Sequence, residues 1–186
     1  MLVLSPRAVS RLETYVPDRP LPKLFRLCKN GKLDAAIFSG ATINTPSMLC
    51  VEDYLDALAW VRDVGGLNAM LQRSADNLAV LSAWVERTPW IDFLARREDT
   101  RSNTSMCLKF TAPVVTSSDS DQQAAFAKRV AALLEQEQVG LDVNGYRSAP
   151  PGLRIWGGAT VETGDIEALL PWIEWAHAVA ITELAS

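Results

Sequence analysis

A mixed α/β fold, with helices packed over one face of a small, mainly antiparallel sheet, is predicted by three features of this sequence. The stretch TSMCLKF alternates Met106, Leu108 and Phe110 with polar neighbours, the two-residue period of a half-buried strand. Apolar residues recur at spacings of three and four in the segments beginning near Thr45, Leu67, Ser120 and Thr163, the signature of helices with one buried stripe. From Trp90 onward the order reads strand, strand, helix, strand, helix. Helices laid over one sheet face would bury all of these stripes together. Of the 186 residues, 48% are hydrophobic, enough for a sizeable core.

In chain order, Met1–Leu4 is a short apolar run bounded by Ser5-Pro6, which predicts a buried strand leading into a helix over 6–14. The next stretch is loop-rich, with Pro17, Pro20 and Pro22 close together. Asn30-Gly31 between apolar residues predicts a hairpin. Thr45 then suits an N-cap and Pro46 the first helical position, with Met48, Val51, Leu55 and Leu58 as the buried face. Gly65-Gly66 stops that helix. A longer helix follows over 67–87, with Leu67, Leu71, Leu78, Leu81 and Val85 on one stripe and Ser74 interrupting it, and TPW at 88–90 ends it. WIDFLA and TSMCLKFTAPVV read as strands. Ser120 with Gln123 forms a capping box for a helix to about 138, whose inner face is Phe126, Val130, Leu133 and Leu134. LRIWGGATVE is strand-like, and Thr163 caps a final helix with Ile166, Leu169, Leu170 and Ile173 inward. There are no internal repeats. The change of texture places a domain boundary near residue 65, giving 1–65 and 66–186.

Charge and cysteine content narrow the function classes. A net charge of −4 without a basic block makes nucleic acid a poor partner. Cys28, Cys50 and Cys107 are odd in number and form no CxxC pair, which reads as reduced thiols, each a small core residue, in a cytosolic protein. The single His177 lacks ligand-spaced neighbours, so no zinc site is expected, and it is taken as a helix-surface or packed residue. The six tryptophans are expected on helices or strands, in the core. No apolar run approaches membrane-spanning length. No GxSxG, P-loop or dinucleotide fingerprint occurs.

Two constellations remain. In NGYRSAPPGLRIW, Arg147 and Arg154 flank Pro150-Pro151-Gly152. Seven extended residues would span roughly 23 Å, too far for both guanidiniums to serve one ligand. Pro151-Gly152 suits the centre of a type II turn, which doubles the chain back and lets two planar forks face one cleft. The alternative is two surface arginines, each paired with a carboxylate. In ATINTPSMLC, the free N–H groups of a helix starting at Thr45, with the Asn44 amide and the Thr45 hydroxyl, would suit a phosphate. The alternative there is an ordinary capped helix.

Taken together, PLPKLFRL, INTPSMLCVEDYLDAL, TPWIDFLA and APPGLRIW, in that order, resemble the C-terminal half of the phosphoserine aminotransferases, in their bacterial and archaeal branch. The resemblance extends over essentially the whole chain. That family is similar to other fold-type I enzymes: homodimers that use pyridoxal 5′-phosphate, with a large domain and a smaller C-terminal α/β domain. The resemblance implies amino-group transfer between O-phosphoserine and 2-oxoglutarate, with glutamate as the other amino acid, in serine biosynthesis in the cytoplasm. It further implies that Asn44 and Thr45 reach the cofactor phosphate of the other subunit. By the same resemblance, Arg154 holds the substrate α-carboxylate. Arg147 helps bind the distal phosphate or the side-chain carboxylate of glutamate. Tyr146 stands where many members have a histidine beside that distal arginine.

The lysine that forms the Schiff base with the cofactor lies, in that family, shortly before the strand that MLVLSP resembles. None of Lys23, Lys29, Lys32, Lys109 and Lys128 matches it, so the expectation is a C-terminal portion, with Met1 an internal start, that does not transaminate alone. Rival expectations are a related class V transaminase or cysteine desulfurase, and a free-standing anion-binding or interaction module derived from such an enzyme.

Overall fold

A computed structural model describes residues 3–146 and 148–184. The chain divides into two compact units, Met1–Leu58 and Ala59–Ser186, and each is described by itself.

In the first unit, Pro6 sits in the first turn of helix α1 (Pro6–Thr14), where its missing donor costs nothing, and Ser5 caps the helix by accepting from the Ala8 N–H at 3.2 Å. Asn30 (φ 53°) and Gly31 (φ 75°) are both left-handed, as a type I′ turn demands, and they join β1 (Cys28–Lys29) to β2 (Lys32–Leu33). Glu13 ties the helix to this hairpin. Its carboxylate accepts from the Leu33 N–H at 3.1 Å and from Lys32 Nζ at 3.0 Å. The backbone bond first, then the lysine, holds the Glu13 carboxyl below its ordinary range.

The expected strand at the N-terminus is corrected where it can be seen. Met1 and Leu2 lie outside the described residues, and Val3 and Leu4 belong to no strand, with Val3 84% exposed. A strand exists only as part of a ladder, and the one ladder among the described residues of this unit is the 28–33 hairpin.

Helix α2 (Met48–Asp63) begins two residues later than the sequence predicts, and the division between the units falls inside it. Thr45 and Ser47 are both competent caps two residues apart, and Ser47 takes the role. Its carbonyl accepts from Val51 N at 3.2 Å, and its hydroxyl lies 3.5 Å from Cys50 N. The stripe Met48, Val51, Leu55 and Leu58 forms as a stripe but is exposed rather than buried. Periodicity specifies which residues share a face, and burial needs a second element against that face.

In the second unit, Gly65 (φ 112°) turns the chain into α3 (Gly66–Arg87). Then follow β3 (Ile91–Phe93), β4 (Ser105–Phe110), the short α4 (Pro113–Thr116), α5 (Ser120–Gln136), β5 (Leu153–Trp156) and α6 (Thr163–Leu184), with Pro113 starting a helical turn where the expected strand would have run on to Val115. The sheet runs β3-β4-β5, antiparallel throughout, with Phe93 opposite Leu108 and Met106 opposite Ile155. Ile91, Phe93, Met106, Leu108, Phe110, Leu153 and Ile155 point to one face and merge with Leu81, Trp84, Phe126, Leu134, Ile166 and Ile173 of the helices. Each such side chain removed from water contributes about 1.5–3 kcal/mol. The predicted layering is therefore the observed one.

Local details differ from the sequence reading. On α3 the buried residues are Ser74, Asn77, Leu81, Trp84 and Val85, whereas Leu67 and Leu71 are 71% and 57% exposed. The capping box belongs to Asp119 and Gln122, one residue early. Asp119 Oδ1 accepts from Gln122 N at 2.8 Å, and Gln122 Oε1 accepts from Asp119 N at 3.2 Å. The run SSDSD offers several caps, and a carboxylate meets the helix N-terminus with more charge than a hydroxyl. Thr163 is the first residue of α6 and donates its hydroxyl to Asn77 Oδ1 at 2.8 Å instead of capping. Only Trp84 and Trp90 pack in the core; Trp60, Trp156, Trp172 and Trp175 remain exposed. None of the three free cysteines is buried.

His177 is a packed residue. Its ring stacks on Trp90 at 3.7 Å and meets Phe126 edge-on at 5.8 Å, and its Nε2 has no hydrogen-bond partner. Burial pushes its pKa down to about 4, so the imidazole is neutral through the neutral range.

Candidate functional site

The chain between α5 and β5 forms a narrow hairpin. Asn144 pairs with Leu153, Arg154 N donates to Val143 O at 2.9 Å, and Gly145 N donates to Gly152 O at 3.2 Å. The tip is closed by Ala149 N donating to Tyr146 O at 2.8 Å. The chain does double back, but not through the expected type II turn. Gly152 is absent from the glycines with positive φ, which that turn would require. Its lack of a side chain serves a close approach: a Cβ there would lie 2.0 Å from the Leu108 carbonyl oxygen of the central strand.

The alternation of β5 sends Leu153 and Ile155 into the core and Arg154 to the opposite face of the sheet. There Arg154 stands across from Cys107 in register. Its Nη2 donates to Asp142 Oδ2 at 2.7 Å. Nε and Nη1 have no protein partner among the described residues, which leaves the guanidinium with donors for an anion. Nearby in register, Lys109 and Asp92 form a second pair at 3.3 Å on the same face.

Tyr146 is 69% exposed and lines a cavity of about 300 Å³ with Lys128, Asn144, Pro150, Pro151 and Gly152. Arg147 lies outside the described residues. Tyr146 and Arg154 are thus carried by one hairpin. Asn44 and Thr45 belong to the other unit, in an exposed loop where Thr42 Oγ1 donates to Asn44 O at 2.7 Å. Because α2 starts at Met48, the helix N–H groups nearest this loop are those of Met48 and Leu49, with the Ser47 hydroxyl beside them.

Two features escaped the sequence reading. Asp142, whose φ of 55° places it in the left-handed region, pairs with Arg154, and its sequence offset carries no signal for that contact. In the first unit, Arg11, Arg19 and Arg26 line a cavity of about 580 Å³ with Tyr15 and Phe25. Arg11 lies on α1 and Arg19 and Arg26 beyond it in the proline-rich stretch, so their spacing follows no period.

A phosphoserine aminotransferase of Methanosarcina mazei is 51% identical to this chain over 177 residues, 95% of the chain and 45% of that protein. The chain is homologous to the C-terminal part of the phosphoserine aminotransferases. That of Methanosarcina barkeri is 52% identical over 177 residues, again covering 95% of the chain and 45% of the relative. A solved structure concerned with radiation damage of the Schiff base in phosphoserine aminotransferase superposes with a TM-score of 0.64 at 19% identity, covering 92% of this chain and 42% of that one. At that identity the likeness concerns the fold, which is that of the C-terminal part of a phosphoserine aminotransferase. The chain spans about 45% of the length of the curated relatives it matches. No protein-family model matches it. Among the described residues, no helix is long and apolar enough to cross a membrane.

Proposed function

We propose that this chain supplies the carboxylate-anchoring part of a cytoplasmic phosphoserine aminotransferase, which moves an amino group between O-phosphoserine and 2-oxoglutarate. Residues 1–65 are read as the end of the large domain and 66–186 as the small domain. The observation that carries the reading is the guanidinium of Arg154, whose Nε and Nη1 have no protein partner among the described residues, fixed on a strand and aimed away from the core. A planar fork binds a carboxylate through two parallel hydrogen bonds, and both amino acids of the reaction carry an α-carboxylate.

Arg147 is assigned to the distal anion, phosphate in one substrate and carboxylate in the other, with Tyr146 beside it at the tip of the same hairpin. Alternate binding of two dianions by one pair of anchors fixes the orientation of each before transfer. Asn44 and Thr45 are assigned to the cofactor phosphate of the partner subunit in a homodimer. The donors at that place suit a phosphate: an amide, two hydroxyls with Ser47, and the unpaired N–H groups at the start of α2. Pyridoxal 5′-phosphate, when bound, supplies the electron sink that the reaction requires. None of the five lysines takes the place of the cofactor-binding lysine, and the 186 residues by themselves are assigned no transaminase activity.

Two measurements test this reading. Replacing Arg154 by Ala in the complete enzyme should raise KM for O-phosphoserine and for glutamate by about 10- to 100-fold, the value of a charge-assisted hydrogen-bonded pair. An unchanged KM for both removes Arg154 from the site. The purified 186-residue chain, free of host enzyme and supplied with the cofactor, should give no turnover of O-phosphoserine. Turnover would show that the reaction needs no residue beyond these.

A further inference from the structure

We propose that Asp142 is a resident carboxylate that occupies the Arg154 fork and gives way to the substrate carboxylate. It would thereby set substrate affinity without taking part in transfer. The inference rests on the assignment of Arg154 as the carboxylate anchor.

The contact has the chemistry of the ligand it would be exchanged for: one carboxylate oxygen accepting from Nη2 at 2.7 Å. The two partners are unequally held. Arg154 is fixed by the register of β5 against β4 and by its N–H bond to Val143 O, and its side chain is 30% exposed. Asp142 sits in a turn at φ 55°, its side chain is 85% exposed, and its carboxylate makes no other hydrogen bond among the described residues. The cation is therefore the fixed member and the anion the movable one.

The neighbouring pair on the same sheet face is built differently. Asp92 belongs to β3 directly opposite Lys109, and its Oδ1 is also held by the Phe93 N–H at 2.7 Å. A structural ion pair is tied on both sides in this way, and the Asp142 pair is not. An exposed ion pair contributes little to stability, so an incoming carboxylate with two hydrogen bonds to offer displaces it readily. While the Asp142 carboxylate stays near, it also repels the arriving anion and weakens binding further.

The test compares the wild-type complete enzyme, loaded with cofactor, with D142N, R154A and the double variant. Asn tolerates the left-handed backbone of position 142 as well as Asp does, so the substitution removes charge without strain. The probe is glutarate, a dicarboxylate with no amino or keto group, titrated calorimetrically, alongside KM and kcat for O-phosphoserine and glutamate. D142N should bind glutarate about two- to fivefold more tightly, the range expected for releasing an exposed pair. It should lower both KM values by a similar factor and leave kcat unchanged, and the gain should vanish in the R154A background. Equal or weaker glutarate binding by D142N overturns the proposal, weaker binding meaning that Asp142 positions the arginine. If R154A binds glutarate as the wild type does, the anchor assignment fails and the proposal fails with it.

Discussion

Replacing Gly152 by Ala is expected to destabilise the second unit by about 3 kcal/mol or more, the upper end of overpacking effects. The added methyl would stand 2.0 Å from the Leu108 carbonyl oxygen and 3.1 Å from its carbon, where only backbone is available to yield. Leu108 belongs to the central strand and pairs with both Phe93 and Leu153, so a shift to relieve the clash disturbs both ladders. The same substitution also tilts the base of the hairpin that carries Tyr146 and Arg154. In a chain of this size the loss corresponds to a fall in melting temperature of roughly 6–12 °C. A thermal unfolding curve within two degrees or so of wild type, as a rough threshold, would mean that the close approach is not maintained in solution.

The second large effect is expected at Asn77, which is fully buried on α3. Its Nδ2 donates to Gly157 O and Val161 O, both at 3.1 Å, and its Oδ1 accepts from Thr163 Oγ1 at 2.8 Å. One amide thus pins the connection between β5 and α6. Arg73 reinforces it from one helical turn away, through Ala159 O at 2.7 Å and an ion pair with Glu162. Asn77→Ala strips partners from buried carbonyls and a hydroxyl at once, and is expected to cost roughly 2–4 kcal/mol. Thr163→Val, which removes one of these bonds, should cost about 1 kcal/mol. Chemical denaturation of both variants, with amide exchange across 157–163, measures this. An Asn77→Ala variant no less stable than Thr163→Val would show that the connection is held by its own packing instead.

The hairpin that carries Tyr146 and Arg154 was legible in part because it is local. The pairing of two arginines around a proline-glycine turn is visible in residues 144–156. That the chain turns there follows from Pro150, Pro151 and Gly152. The route of the turn was not legible. A glycine is permitted both positive φ and close backbone approach, and residue type does not distinguish them. At Gly152 the need is the neighbouring strand, which is 44 residues away in sequence. Asp142 illustrates the same limit. Carboxylates are abundant in the chain, and only the folded hairpin shows which one reaches Arg154.

The sequence by itself determined the main helices and strands of the second unit, their order and which residues of β4 and α5 face inward. These properties follow from the two-residue and 3.6-residue periods of side-chain direction, and each is written within a few turns of chain. It also carried the likeness to the phosphoserine aminotransferases. Only the tertiary structure decided which predicted stripes are covered. Leu55 and Leu58 of α2 and Leu67 and Leu71 of α3 have the helical period and stand exposed, while polar Asn77 lies at the centre of a buried network. A stripe is a property of one element, but burial and hydrogen-bond partnership belong to pairs of elements brought together from distant parts of the chain.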